Sequence, residues 1–193
     1  MDEVMTRPLL AVVYNDGLAA DRFLADVGYS LRSAGIAVAG LVQLNSFERN
    51  PEKCDMIVEE LFSSTTLKMS EDRGHDTQGC RLDRAVFAQA IGLLMGALQE
   101  NPDILILNKF GKVELEGSGL RDVIALAVER EVPAIVGVPS RNLDHWRIFS
   151  AGLADECPVA APDLQEWLTV HKILPAGERL ACAQEMSANA CHP

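Results

Sequence analysis

Residues 104–122 read ILILNKFGKVELEGSGLRD. Ile104, Leu105, Ile106 and Leu107 form a short apolar run with no polar interruption, the pattern of a strand buried on both faces of a sheet. Asn108 follows directly, so it belongs at the strand's tip and not in open solvent. Gly111, Gly117 and Gly119 then mark a loop in which unusual backbone angles and close ligand approach are allowed. Ser118 stands as the cap of a helix whose buried face is Leu120, Val123, Ile124, Ala127 and Val128. Phosphate-handling α/β proteins usually carry acidic residues at such a strand tip. Here Asn108 and Lys109 stand there, with Lys112 just beyond. A ligand would meet positive charge where a magnesium-holding carboxylate is expected.

The same alternation extends in both directions. LLAVVY at 9–14 is another short apolar run, followed by the turn residues Asn15, Asp16 and Gly17. Phe23, Leu24, Val27 and Leu31 recur at helical spacing up to Gly35, and residues 36–44 give the next strand. This is the size of one parallel crossover unit. Residues 56–61 and 65–69 are candidates for a hairpin around 62–64. SEDRGHDTQGCR at 70–81 reads as a loop, and Asp83 caps a helix whose inner face is Val86, Phe87, Ala90, Ile91, Leu94 and Leu98. Residues 133–138 form a further strand, 142–152 a short helix with Trp146 and Phe149 in the core, and 162–170 another helix with Trp167. The pattern predicts one α/β domain over 1–172, with a mostly parallel sheet covered by helices on both faces, and a loosely ordered tail over 173–193 in which 180–186 has some helical character.

Totals narrow the function. A chain of 193 residues with net charge −11 argues against broad nucleic-acid or anionic-membrane binding, though not against one small basic pocket. No apolar run is long enough to span a bilayer, and the N-terminus lacks a signal-peptide pattern, so a cytoplasmic setting is expected. Cys54, Cys80, Cys157, Cys182 and Cys191 are odd in number and widely spaced, as free thiols in a reducing compartment would be. His75, His145 and His171 fall in no metal-binding spacing, and no metal site is expected.

In a parallel sheet, ligands bind at the carboxyl ends of the strands. Three loops should meet there. The first, Asn15, Asp16, Gly17, Leu18, Ala19, Ala20 and Asp21, sits where a phosphate-wrapping loop would, or is an ordinary strand-to-helix turn. Ala20 stands where the phosphate-binding Lys would fall, and Asp21 where the Ser/Thr would. The second supplies Asn108, Lys109, Gly111 and Lys112, unless both lysines are solvated and pair with Glu114 and Glu116. The third follows residue 138 and carries Arg141. Arg81, just ahead of Asp83, is a fourth candidate, either as an anion clamp or as an exposed residue beside a capped helix. Cys80 next to it gains acidity from the same position but has no base beside it in sequence.

The order of elements resembles the small P-loop nucleoside triphosphatases of the thermophile/cancer-related type. ILILNKFGKVEL is similar to the strand-and-loop run of those enzymes. Gly111, Lys112, Glu114 and Leu115 match it, while Asn108 and Lys109 replace its Asp and Glu. A closer resemblance is to a family of uncharacterised bacterial proteins that share G-C-R-L-D, L-N-K-F-G-K and G-x-G-L-R-D, here at 79–83, 107–112 and 117–122, with the likeness covering roughly residues 8–170. That resemblance implies a P-loop-NTPase-like fold and a neighbourhood of molybdate-transport or molybdenum-enzyme genes. Four departures, Ala20, Asp21, Asn108 and Lys109, remove the phosphate clamp, the metal seat and the base that hydrolysis in this class needs.

Three readings stand. The leading one is a catalytically degenerate protein, with no catalytic residue, that binds a nucleotide without Mg²⁺ or a small oxyanion such as molybdate through Lys109, Lys112, Arg81 and the first loop's amides. The second is an active triphosphatase with a displaced metal site at Asp16 or Asp21. The third is a regulatory partner protein that works through its acidic surface and tail.

Overall fold

The computed structural model describes residues 6–44, 56–70, 82–175 and 177–180. Its strands are β1 (Leu9–Tyr14), β2 (Val38–Leu44), β3 (Ile57–Glu60), β4 (Thr65–Lys68), β5 (Ile104–Leu107), β6 (Ala134–Pro139) and β7 (Ala154–Pro158). They form one seven-stranded sheet in the order β4-β3-β2-β5-β6-β1-β7. The pairs β2–β5, β5–β6, β6–β1 and β1–β7 are parallel, with Val38 opposite Ile104, Leu105 opposite Ala134, and Leu9 opposite both Ala134 and Ala154. β3 runs antiparallel to β2 and β4 antiparallel to β3.

The helices are α1 (Gly17–Ser33), α2 (Arg84–Gln99), α3 (Lys112–Leu115), α4 (Arg121–Glu129), α5 (Leu143–Ser150) and α6 (Ala161–Val170), with a single 3₁₀ turn at Ser140–Asn142. Strand periodicity sorts them into layers. Leu9, Ala11, Leu105 and Leu107 face a core shared with α2, α4 and Trp146 of α5. Leu10, Val12, Ile104 and Ile106 face a second core shared with Phe23, Leu24 and Val27 of α1 and Leu164 and Leu168 of α6. Because helices cover both faces, β5 and β6 are buried at every position, which is why they read as unbroken apolar runs. The three-layer α/β/α arrangement expected from sequence is the one found.

The hairpin expected around residues 62–64 is β3–β4. Its turn is held by Glu60, 1% exposed, whose carboxylate accepts from Phe62 N at 3.0 Å and from Ser63 N and Ser63 Oγ at 2.7 Å each. Asp83 caps α2 as expected, accepting from Ala85 N and Val86 N.

Several features differ from the sequence reading. β7 escapes the apolar pattern because ADECP buries only Cys157. It pairs with β1 alone and is an edge strand, so it shows no apolar run. Ser118 does not cap α4. Its hydroxyl donates to Val113 O at 3.4 Å, and the backbone donor at Leu120 is satisfied by Glu114 instead. A one-turn helix, α3, lies inside the segment expected to be loop. Beyond residue 172, Leu174 and Leu180 are buried in the second core, and Gln165 ties that segment down by donating to Glu178 O at 2.7 Å and accepting from Leu180 N at 3.0 Å. Residues 181–193, including most of the segment given helical character, lie outside the described residues.

The strand tips are closely fitted. A Cβ on Gly137 of β6 would stand 2.3 Å from Asn108 O and 2.8 Å from Leu24 Cδ1. Gly137→Ala should therefore destabilise the fold by about 1–3 kcal/mol through overpacking against backbone. A urea unfolding midpoint unchanged from the parent would contradict this fit.

Candidate functional site

At the end of β5 the chain keeps its strand-like alternation for three residues. Asn108 turns in, Lys109 turns out and Phe110 turns in. Phe110 is 1% exposed and packs edge-on against Trp146, with centroids 5.3 Å apart, and face-on against Phe149 at 5.5 Å. Its N–H donates to Gly137 O at 2.8 Å, and its carbonyl accepts from Asn142 Nδ2 at 2.9 Å. The tip is thus fixed on three sides, and Lys109 projects from a rigid base.

The loop beyond is closed by one carboxylate. Glu114, 3% exposed, accepts from Gly111 N at 2.8 Å through Oε2 and from Leu120 N at 3.0 Å through Oε1. Gly119 (φ +72°) runs beneath it, and a Cβ there would sit 2.4 Å from Glu114 Oε1. Glu114 is therefore no surface partner of a lysine, which removes half of the alternative in which both lysines pair with Glu114 and Glu116. Lys112 does approach Glu116, at 3.9 Å, but both side chains are largely exposed. Such a pair contributes little and exchanges readily.

Asn108, Lys109, Gly111 and Lys112 line a cleft of about 600 Å³ beside β5, on the side of β2 and the β3–β4 hairpin. Its wall is apolar: Leu41, Met56, Val58, Met69, Leu82 and Phe87. Two polar residues that sequence reading missed also line it. Arg84 occupies the first turn of α2, where a cation opposes the helix dipole. That misplaced charge was the available sign. Gln43 comes from the end of β2 and accepts a hydrogen bond from Asn108 Nδ2 at 3.2 Å. Asn108 is 6% exposed, and its Oδ1 has no hydrogen-bond partner among the described residues.

The first loop does not join this cleft. Only Asn15 and Asp16 separate β1 from α1, too few to wrap a phosphate. The helix amides that would attract an anion already hold one, since Asp16 Oδ1 accepts from Leu18 N at 2.9 Å and from Ala19 N at 3.2 Å. Ala20 N donates to Asp16 O within the helix. Anion contact through the amides of residues 18–20 therefore does not fit this turn, because a carboxylate fills the position a phosphate would take. Ala20 and Asp21 are buried, and Gly17 is exposed at the helix start.

Arg141 sits in the 3₁₀ turn beyond β6, on the β1 side of the rim. Burial pushes the Tyr14 hydroxyl up to about 12, with Asp21 adding to the rise and Arg141 opposing it. Asn15 accepts a hydrogen bond from Ser140 Oγ. The three loops are thus stitched together in series, yet they form two places: Tyr14, Asn15, Asp21 and Arg141 at one, and the lysine cleft at the other. Arg81, Cys80 and His75 lie outside the described residues.

Comparison with known proteins places these features. The chain matches the family described as "Protein of unknown function (DUF2478)" over residues 9–167, and it belongs to that family. The molybdenum import ATP-binding protein ModC 2 of Bradyrhizobium diazoefficiens is 27% identical over 165 residues, which are 86% of this chain and 18% of that relative. The chain thus spans less than a fifth of the relative's length. The crystal structure of THEP1 from the hyperthermophile Aquifex aeolicus is similar with a TM-score of 0.59 at 16% identity, covering 89% of this chain and 99% of that one. At that identity the likeness concerns the fold alone, a three-layered α/β/α arrangement around a mostly parallel sheet.

Removing the Glu114 carboxylate leaves two loop amides without their charged acceptor. Glu114→Ala should cost about 2–3 kcal/mol in urea unfolding, in the range of buried hydrogen bonds to a charged group. It should also speed hydrogen exchange at the Gly111 and Leu120 amides. Unchanged exchange at both would show that the carboxylate does not hold the loop.

Proposed function

We propose that this protein binds a nucleotide-sized organic anion in the cleft beside β5 and does not hydrolyse it. The observation that carries the reading is that Lys109 and Lys112 line the same cleft as Asn108, beside an apolar wall and Arg84. A volume near 600 Å³ lies within the range of small-molecule sites, roughly 300–1,000 Å³. A bare tetrahedral oxyanion would fill only a part of it. Counting each of its oxygens as one water of about 30 Å³ gives roughly 120 Å³. An oxyanion also gives Met56, Met69 and Phe87 nothing to pack against. An anion with an organic body uses both the cationic mouth and the apolar wall.

The residues at the strand tip do not fit a magnesium ion. That cation is usually held through one or two carboxylates together with the substrate's phosphates. Asn108 presents a neutral carboxamide, Lys109 adjoins it with an ammonium group, and Asp16 is committed to helix amides. Binding without the metal accords with that donor set. The active triphosphatase with its metal at Asp16 or Asp21 remains the competing reading. It needs Asp16 to leave its cap.

The similarity to a molybdenum import ATP-binding protein supports placing this chain as an accessory factor in molybdate or molybdenum metabolism, working in the cytoplasm beside a protein partner. Molybdate is then the small oxyanion to set against nucleotides.

Calorimetric titration with ATP, GTP, molybdate and sulfate, each with and without Mg²⁺, tests the proposal. Heat is expected with the nucleotides and should not require Mg²⁺. Lys109→Ala and Lys112→Ala should each weaken binding by about tenfold, or about 1.4 kcal/mol, as expected of a charge-assisted contact. Absence of heat from every anion would overturn the proposal. Sustained phosphate release that disappears in the double variant Asp16→Ala/Asp21→Ala would establish the competing reading.

A further inference from the structure

Asn108 is a polar side chain shut almost wholly inside the protein with one of its two amide ends unused. Its Nδ2 is spent on Gln43 Oε1 at 3.2 Å, across the rim from β5 to β2. Its Oδ1 is buried and accepts from no group among the described residues. Buried carbonyl oxygens are seldom left in this state, because loss of water without a replacement donor is unfavourable. Both Asn108 and Gln43 line the cleft, and the backbone cannot shift to relieve the orphan. Asn108 N donates to Leu41 O at 2.9 Å, and Asn108 O lies against Gly137.

The geometry points to Asn108 as the specificity-determining residue of the cleft, its Oδ1 accepting a hydrogen bond from an N–H on the ring of the bound ligand. This rests on the proposed anion-binding reading and narrows it to one ligand class: a nitrogen heterocycle with an amino or ring N–H at its buried end and an anionic group at the other. The ring lies against Met56, Met69, Leu82 and Phe87. The anionic group faces Lys109, Lys112 and Arg84 at the mouth. An oxyanion carries acceptors only and would meet Oδ1 with repulsion. Gln43 acts as a positioning residue, because by accepting from Nδ2 it holds the carboxamide with its oxygen free for the ligand. If both amides were rotated, Asn108 would instead present a donor and prefer a ligand without an N–H. A divalent cation is the other species a lone carbonyl oxygen accepts, and it would make binding depend on added metal.

The test compares ATP with purine riboside 5′-triphosphate, which lacks the amino group and has no other ring N–H. Dissociation constants are measured by calorimetry for the full chain, with and without Mg²⁺. The parent should bind ATP at least about tenfold more tightly than the analogue, in either condition, as a single ligand hydrogen bond to a buried acceptor allows. Asn108→Leu should bring the ratio close to one. Gln43→Met leaves Asn108 in place but frees its Nδ2 to turn, and should also lower the ratio, so the conclusion does not depend on the first variant folding. Thermal melts of both check that they are folded.

If the parent binds both triphosphates equally, or prefers the analogue, the assignment of Oδ1 falls while the anion-binding reading stands. If the preference for ATP appears only with Mg²⁺, the orphan oxygen serves a cation and the inference is overturned. If neither triphosphate binds, the anion-binding reading itself fails and takes this inference with it.

Discussion

The carboxylate of Glu114 decides the shape of the loop that lines the cleft. The chain must turn from the tip of β5 into α4, and backbone donors along that turn are cut off from water. One buried carboxylate meets two of them, at Gly111 and Leu120. A buried charge is tolerable only when its hydrogen bonds are made, so the carboxylate and the two amides depend on one another. The requirement reaches into the sequence: the chain passes so close to Glu114 at Gly119 that a side chain there would collide with it. Phe110 anchors the other end of the loop among Trp146 and Phe149. Lys109 and Lys112 flank Phe110 and Gly111, so this anchoring places both at the cleft's edge.

The same accounting of donors explains why the first loop and the second do different things. In a parallel sheet the helix that follows β1 offers free amides at its start, a natural seat for an anion. Here Asp16 fills that seat with its own side chain, as a helix cap does, and caps of this kind contribute about 1 kcal/mol. Stability and phosphate binding compete for the same N–H groups, and stability takes them. The cleft on the far side of β5 is lined by two carboxylates, Glu114, bound to loop amides, and the exposed Glu116, and no helix cap fills it. Its cations are Lys109, Lys112 and Arg84, and among the described residues only Lys112 forms an ion pair with a carboxylate.

Sequence made the layers legible because the central strands are buried on both faces, so LLAVVY and ILIL could hardly be anything else. The hairpin was legible from two short runs around a polar turn. β7 was not, since an edge strand that pairs with one neighbour can carry ADECP without penalty. The strand tip was placed correctly by a simple count, with Asn108 following four buried residues. Its role as an unsatisfied acceptor was hidden, because it depends on Gln43 arriving from β2, 65 positions away in sequence. The role of Glu114 was hidden for a related reason. By composition it is one more charge in a loop with two lysines, and nothing local says that the loop folds back over it.

A chain with net charge −11 repels an anion over long distances. Distance settles the matter. Screening at physiological ionic strength acts over about 8 Å, so remote carboxylates count for little at the cleft while lysines at its edge act at contact distance. Of the two carboxylates that line the cleft, Glu116 makes only an exposed pairing with Lys112 at 3.9 Å, weak enough to give way to a ligand. Glu114 is nearer in sequence, but its carboxylate accepts from two backbone amides, which spend much of its capacity as an acceptor. The acidic surface therefore disfavours loose association with nucleic acid without closing the cleft. An anion held there would be held by contact, and on the proposed reading the apolar wall and the orphaned Asn108 oxygen would select its organic body.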